Sequence, residues 1–178
     1  MSQVDPATTT APNAIAPDIV KNAINRAVDT VCNIMLRETV EMKGASNQPI
    51  PAADGNGAYV IGSVGFVGDI NGIVYLCFDE DFALFATQKA LGMDRAEILL
   101  EGFELIKDTV GELTNMTVGN FKNVLCDAGH PCMLTLPTII RAQKLSTGSS
   151  SKIDRVVYRY ECAGHFLAAD LQIRADAG

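Results

Sequence analysis

The sequence contains no tryptophan, and aromatic residues make up only 6% of its 178 positions. It also lacks an excess of basic residues, because 14 lysines and arginines stand against 21 acidic residues and give a formal net charge of −7. Nucleic acids and anionic lipids attract basic surfaces, and base stacking needs aromatic side chains. The composition therefore argues against nucleic acid and against a membrane surface as partners.

Long hydrophobic runs are absent as well. No stretch approaches the roughly 18 apolar residues of a membrane-spanning helix, and residues 1–12 lack the basic start and apolar centre of a secretion signal. A chain that is 48% hydrophobic and 20% charged is typical of a globular domain with its own core. We therefore expect a cytoplasmic protein with one folded domain.

The five cysteines include no CxxC pair and are odd in number. Secreted disulfide-rich domains have an even set in a shorter chain, so we interpret these cysteines as reduced thiols in the core. Cys126, His130 and Cys132 lie close together in sequence, but their spacing and number fall short of a structural zinc pattern. We therefore expect no metal to be bound by this chain.

The chain divides into two parts by composition. Residues 1–16 contain almost no large apolar side chain, so we expect a disordered lead-in. Residues 17–178 form the folded domain. At its start, apolar residues three or four positions apart predict a first helix that begins at Pro17, runs to about Lys43 and stops at Gly44.

The sequence pattern predicts strand hairpins and helices in the rest of the domain. The predicted elements are a strand hairpin over 58–67 and 73–78, a helix over 79–91 that stops at Gly92, a second helix over 94–126, and four further strands over 132–136, 138–144, 153–162 and 166–173. Asp94 with Glu97 three residues later predicts a cap for the second helix, in which we expect a break near Gly102. Strands that come in hairpins form antiparallel sheets. The predicted fold class is therefore α+β, a mainly antiparallel sheet with helices packed on one face.

Three glycines at positions 62, 65 and 68 fall in the first predicted hairpin strand. Their spacing does not match either glycine-rich phosphate-binding motif, and a strand follows them where such a motif requires a helix. Glycines inside a strand more often mark a bend or the close approach of another backbone. We therefore interpret them as structural.

The helix over residues 101–126 is the most informative segment. At 100° per residue its larger apolar side chains share one face, and the opposite face consists of Asp108, Glu112, Asn115, Gly119 and Lys122. Glu112 and Asn115 are therefore neighbours at i and i+3 that point away from the core. A carboxylate and a carboxamide on an exposed helix face are equally compatible with an ordinary solvated surface.

Gly111 and Gly119 flank this pair of polar residues. A glycine inside a helix costs about 1 kcal/mol relative to alanine, so two of them weaken the helix. A helix surface without side chains at these positions would be flat, and another backbone could approach it closely. We therefore predict that Gly111 and Gly119 belong to a partner-binding surface.

The string Asp108-x3-Glu112-x2-Asn115, within GELTNMTVGNFKN and followed by Pro137, resembles the signature of the CheC/CheX/FliY phosphatases of bacterial chemotaxis. The resemblance includes the hairpin GSVGFVGDINGIVYL and covers most of residues 17–175. CheC-type members carry two such helices, whereas the first helix here has no glutamate at the matching position. The chain is therefore most similar to CheX-like members.

This resemblance implies that the substrate is a phosphorylated CheY-type response regulator and that the reaction is hydrolysis of its aspartyl phosphate. Asn115 would hold the attacking water, Glu112 would pair with the lysine of the regulator's phosphate site, and Asp108 would be accessory. No cofactor is expected on this chain, since Mg²⁺ would be held by the regulator. The resemblance also implies a homodimer. A non-catalytic module or adaptor that only binds response regulators remains the alternative.

Overall fold

The computed structural model describes residues 15–55, 57–145 and 152–174. Residues 1–14 of the predicted lead-in lie outside this range. The elements in chain order are α1 (Pro17–Val31), a π-helical turn (Cys32–Leu36), β1 (Val40–Ser46), β2 (Tyr59–Gly68), β3 (Gly72–Asp79), α2 (Glu80–Leu91), α3 (Arg95–Glu101), α4 (Phe103–Asp127), β4 (Cys132–Leu134), β5 (Thr138–Ala142), β6 (Ile153–Cys162) and β7 (His165–Arg174).

The seven strands form one antiparallel sheet in the order β1-β6-β7-β3-β2-β4, and β5 pairs with β2 on the same side as β4. The β6–β7 hairpin turns at Ala163 and Gly164, whose φ angles are 52° and 80°. Two consecutive positive φ angles are typical of the turns that match the twist of antiparallel strands. The predicted hairpins and the α+β class are confirmed.

The main core lies between one face of the sheet and the helices α1, α2 and α4. Its largest fully buried side chains include those of Ile24, Phe66, Phe82 and Phe121. The strand side chains that point to the other face of the sheet form a smaller buried cluster. The loop residue Ile50 helps to cover this cluster. Among the helices of the described ranges, none combines the length and hydropathy that a membrane span requires.

The first helix is shorter than predicted. It ends at Val31, a π-helical turn follows, and Arg37 adopts a left-handed conformation with a φ of 57°. The predicted stop at Gly44 is wrong, because Gly44 lies within β1 at an irregularity in its pairing with β6. Val40 lies four residues after Leu36 and Met42 seven after Met35, which continues the helical spacing, whereas Val40 and Met42 taken together alternate as in a strand. Pairing with β6, which is distant in sequence, selects the strand.

Glycines in β2 allow other parts of the chain to come very close. A Cβ atom at Gly62 would lie 2.0 Å from Oγ1 of Thr114 in α4, and one at Gly68 would lie 2.3 Å from the carbonyl oxygen of Pro131. Neither position can hold a side chain unless its neighbour moves. The structural interpretation of these glycines is therefore confirmed, and Gly62 is the point at which α4 lies directly on the sheet.

The first testable prediction concerns this contact. Gly62→Ala should lower the free energy of unfolding by about 1–3 kcal/mol, since overpacking a rigid site forces a shift of backbone or rotamer. Gly111→Ala is the matched control, because its Cβ would meet only the Ile139 side chain at 3.7 Å. Urea denaturation of both variants makes the comparison. Equal stability of the two would contradict the assignment of Gly62 as the contact point.

Candidate functional site

The site is built on α4, which begins after a sharp break in the chain. Asp94 and Glu97 form a reciprocal capping box at the start of α3, and α3 ends at Gly102, whose φ is 86°. Both the cap and the break near Gly102 were predicted and are confirmed. Because an ordinary residue adopts such a φ only with strain, the glycine lets α4 start in a new direction.

The inner face of α4 combines apolar side chains with threonines. Val110, Leu113 and Phe121 are buried, and the Phe121 ring meets Phe66 of β2 at a centroid distance of 5.8 Å. The fully buried Thr114 hydroxyl donates to the backbone oxygen of Val110 at 2.7 Å. Thr109 and Thr117 make the same kind of bond to the residue four positions earlier. These bonds satisfy the hydroxyl groups inside the core.

The outer face of α4 carries the polar residues singled out by the sequence. Asp108, Glu112 and Asn115 are all exposed, as their helical spacing predicts. Within the described part of the chain, Glu112 and Asn115 have no hydrogen-bond or ion-pair partner. Side chains at i and i+3 have Cβ atoms about 5–6 Å apart, so the two groups can reach one partner together. A carboxylate and a carboxamide are thus free to bind another molecule.

The two glycines of α4 differ from Gly62 of β2. A Cβ atom at Gly119 would have no atom within 4 Å, and one at Gly111 would make only an ordinary contact. The packing of this chain therefore requires neither glycine. Both glycines reduce helix stability, and neither relieves a clash with the described residues.

The described residues offer no metal centre. Across residues 15–55, 57–145 and 152–174, no group of three or more His, Cys, Asp and Glu side chains is arranged to hold an ion, and this covers Cys126, His130 and Cys132. The five cysteines are free thiols, four of them buried and Cys126 partly exposed. The chemistry available at α4 is therefore that of a carboxylate and a carboxamide.

One contact that positions the site was not identified from the sequence. Thr114 lies between Glu112 and Asn115 in the chain and carries the contact with Gly62. The only signal in the sequence was that Thr114 falls at helical spacing from the apolar residues of α4. That spacing does not indicate which strand packs against the helix.

Three solved structures show the same fold. The chemotaxis protein CheX from Vibrio vulnificus is 21% identical, with a TM-score of 0.74 over 87% of this chain and 99% of that one. A CheC-like superfamily protein from a Shewanella species is 21% identical, with a TM-score of 0.73 over 90% and 99%. The CheX-CheY-BeF3-Mg complex from Borrelia burgdorferi contains a chain that is 24% identical, with a TM-score of 0.69 over 87% of this chain and 97% of that one.

The sequence itself was also compared with protein families and with curated proteins. The comparison with curated proteins found no match. The family model described as chemotaxis phosphatase CheX matches residues 60–161, a range that includes β2 except for its first residue, and the whole of β3 and α4. Since this match spans more than half of the chain, the protein belongs to the CheX family of chemotaxis phosphatases.

Proposed function

We propose that this protein hydrolyses the aspartyl phosphate of a CheY-type response regulator. The observation that carries the proposal is the exposed and unpartnered pair of Glu112 and Asn115 on α4, within a chain of the CheX family. The relative from Borrelia burgdorferi was crystallised with CheY, BeF3 and Mg. A helix face that presents two polar side chains is suited to insertion into a pocket of such a protein partner.

In this proposal Asn115 positions the attacking water. A carboxamide takes no proton near neutral pH, but its oxygen accepts a hydrogen bond and its NH2 group donates one. It can therefore hold one water in line with the bond between phosphorus and the aspartyl oxygen. Phosphoryl transfer through a loose transition state needs little proton abstraction, so positioning alone lowers the barrier.

Glu112 docks the helix in this proposal. Its carboxylate pairs with the lysine of the regulator's phosphate site, and such a charge-assisted bond fixes how deeply the neighbouring Asn115 enters. Mg²⁺ belongs to the acidic pocket of the regulator and is part of the substrate. Asp108 lies one helical turn before Glu112 on the same exposed face and adds negative charge near the docking point.

A second candidate function is a module that binds response regulators without hydrolysis. The exposed Glu112 is sufficient for docking, whereas Asn115 is needed only for hydrolysis, so the presence of both favours the enzyme. A homodimer formed through sheet edges stays a prediction. The sheet offers two edges for it, β1 on one side and the β4–β5 side on the other.

The second testable prediction separates chemistry from binding. Asn115→Ala should lower the dephosphorylation rate by about 100-fold or more, because a lost positioning group leaves the water unoriented. Its affinity for a regulator that carries a stable phosphate mimic should stay nearly unchanged. Asn123→Ala is the control, since Asn123 is an exposed asparagine of the same helix. Full activity in Asn115→Ala would rule out the water-positioning role.

If the unaltered protein binds phosphorylated regulators and never accelerates phosphate loss from any of them, the binding-module function replaces the enzyme. Affinity and rate must therefore be measured on the same preparations. Testing several CheY-type regulators guards against the choice of a non-cognate partner.

The third testable prediction concerns docking. Glu112→Ala should reduce both the affinity for the phosphate-mimic regulator and the rate, because it removes a charge-assisted contact that is desolvated in the complex. The affinity of the unaltered protein should also fall as salt is raised. Glu101→Ala serves as the control, since it removes another exposed carboxylate, at the end of α3. Equal losses in both variants would indicate a general charge effect and contradict a specific role for Glu112.

The fourth testable prediction concerns the flat surface. Gly119→Ala should raise the free energy of unfolding by about 0.5–1 kcal/mol, because alanine favours the helix and its Cβ meets no atom of this chain. The same methyl group should weaken regulator binding by roughly tenfold, because it projects into a close interface. Thermal unfolding and affinity are measured on one variant. A stabilised protein with unchanged affinity would show that the regulator does not contact this surface.

A further inference from the structure

The edge of the sheet beside α4 is irregular. β4 and β5 both pair with β2 along this edge, and residues 135–137 connect them. The Thr135 amide donates to the Gly65 carbonyl oxygen at 2.9 Å, and the Thr135 hydroxyl oxygen accepts from the Gly65 amide at 2.9 Å. Thr138 then pairs in register with Ser63. The connection is therefore fixed to β2 at both of its ends.

This connection contains one residue more than the strand opposite it. Leu136 and Pro137 lie opposite the single residue Val64 of β2, which is the arrangement of a β-bulge. Bulges change the direction of a side chain and are frequent at sheet edges and beside active sites. Proline has no amide hydrogen to donate, so a bulge on an edge is a position that suits it. The bulge therefore accounts for the place of Pro137, which completes the motif found in the sequence.

Two contacts place the bulge along the length of α4. Thr114 lies over Gly62, and the Phe121 ring meets the Phe66 ring. These two residues of β2 pair with opposite ends of the edge segment 134–139. The bulge in the middle of that segment is therefore level with the part of α4 that lies between the two contacts.

The side of α4 that faces this edge carries Asn115. A Cβ atom at Gly111 would meet the Ile139 side chain of β5 at 3.7 Å, so Gly111 marks the side of the helix next to the edge. Asn115 follows Gly111 by four residues and therefore lies on the same side. It is also the first residue after Thr114, where the stretch of helix level with the bulge begins. The bulge therefore borders the outer surface around Asn115.

Leu136 is the large apolar residue that the bulge presents. It is 88% exposed, whereas Leu134 and Ile139 on either side of the bulge pack against the main core. Single exposed apolar residues are common on protein surfaces, so exposure alone assigns no role to Leu136. Its position does, because it lies near Asn115 in a segment that the bonds of Thr135 and a neighbouring proline hold in place.

We propose that Leu136 is a further contact for the response regulator and packs on an apolar side chain at the rim of the regulator's phosphate pocket. This inference rests on the proposed function, because a regulator that receives Glu112 and Asn115 covers the surface beside them. A specific interface buries about 800 Å² on each partner, which is far more than two polar side chains supply. An apolar residue enclosed at the border of the site adds affinity without touching the reacting atoms.

The fifth testable prediction concerns this contact. Leu136→Asp should weaken the affinity for a CheY-type regulator loaded with beryllium fluoride and Mg²⁺ by about tenfold or more, because an apolar contact is lost and a charge is buried. In turnover, KM should rise while kcat stays nearly unchanged. Leu100→Asp is the matched control, since Leu100 is 87% exposed but lies on α3. Equal losses of affinity in the two variants would contradict a specific role for Leu136.

A second control tests whether the edge is instead covered by a second copy of this chain. Met133 lies on the same edge and is 75% exposed, and its neighbours Cys132 and Leu134 pack in the main core, so it points to the opposite face of the sheet. Met133→Asp should keep the affinity for the regulator. Analytical ultracentrifugation should show the same oligomeric state for both variants and for the unaltered protein. If Leu136→Asp loses affinity only because it changes the oligomeric state, the edge is an interface between copies and the inference is overturned.

The failure of this inference differs from the failure of the proposed function. If Leu136→Asp keeps its affinity and KM while Asn115→Ala loses activity, this inference alone is wrong. If the unaltered protein binds no CheY-type regulator, both are wrong. Leu136→Ala adds no charge and should show a loss of affinity in the same direction, by about threefold or more. Thermal unfolding of each variant verifies that the domain is folded before affinity is compared.

Discussion

The contact between Gly62 and Thr114 is the constraint on which the arrangement of this domain depends. Gly62 contributes no side chain at this point, so the Thr114 side chain of α4 packs directly on the backbone of β2. Two turns further along, the rings of Phe66 and Phe121 fill the space between the same elements. With its inner face held in this way, the helical repeat directs Glu112 and Asn115 away from the sheet.

Glycine serves two opposite purposes in this protein. In β2 it is required by the packing of the chain against itself, because added atoms would overlap with neighbours. In α4 it is not required by the fold, and its cost in helix stability has no internal compensation. This distinction links the glycines of β2 to folding, and it supports the proposal that the glycines of α4 serve partner binding.

The proposed division of chemistry between two molecules follows from the kind of site present. The exposed face of α4 offers one carboxylate and one carboxamide, and it holds no nucleophile paired with a base. The described ranges also contain no metal-binding group. Such a face can complete a catalytic site only if a partner supplies the phosphoryl group, the lysine and the ion. A folded protein substrate satisfies this requirement, whereas a small molecule would need a pocket in this chain.

The sequence by itself determined the local features of this protein: the hairpins, the caps and breaks of α2 to α4, and the outward direction of Glu112 and Asn115. Each of these depends on residue periodicity or on one special residue such as Gly102, and neighbours in sequence are sufficient to fix it. Only the tertiary structure decided the end of α1, the strand identity of β1 and the contact of α4 with Gly62. These depend on contacts between residues far apart in the chain, where local patterns are ambiguous and the pairing of strands and helices selects the outcome.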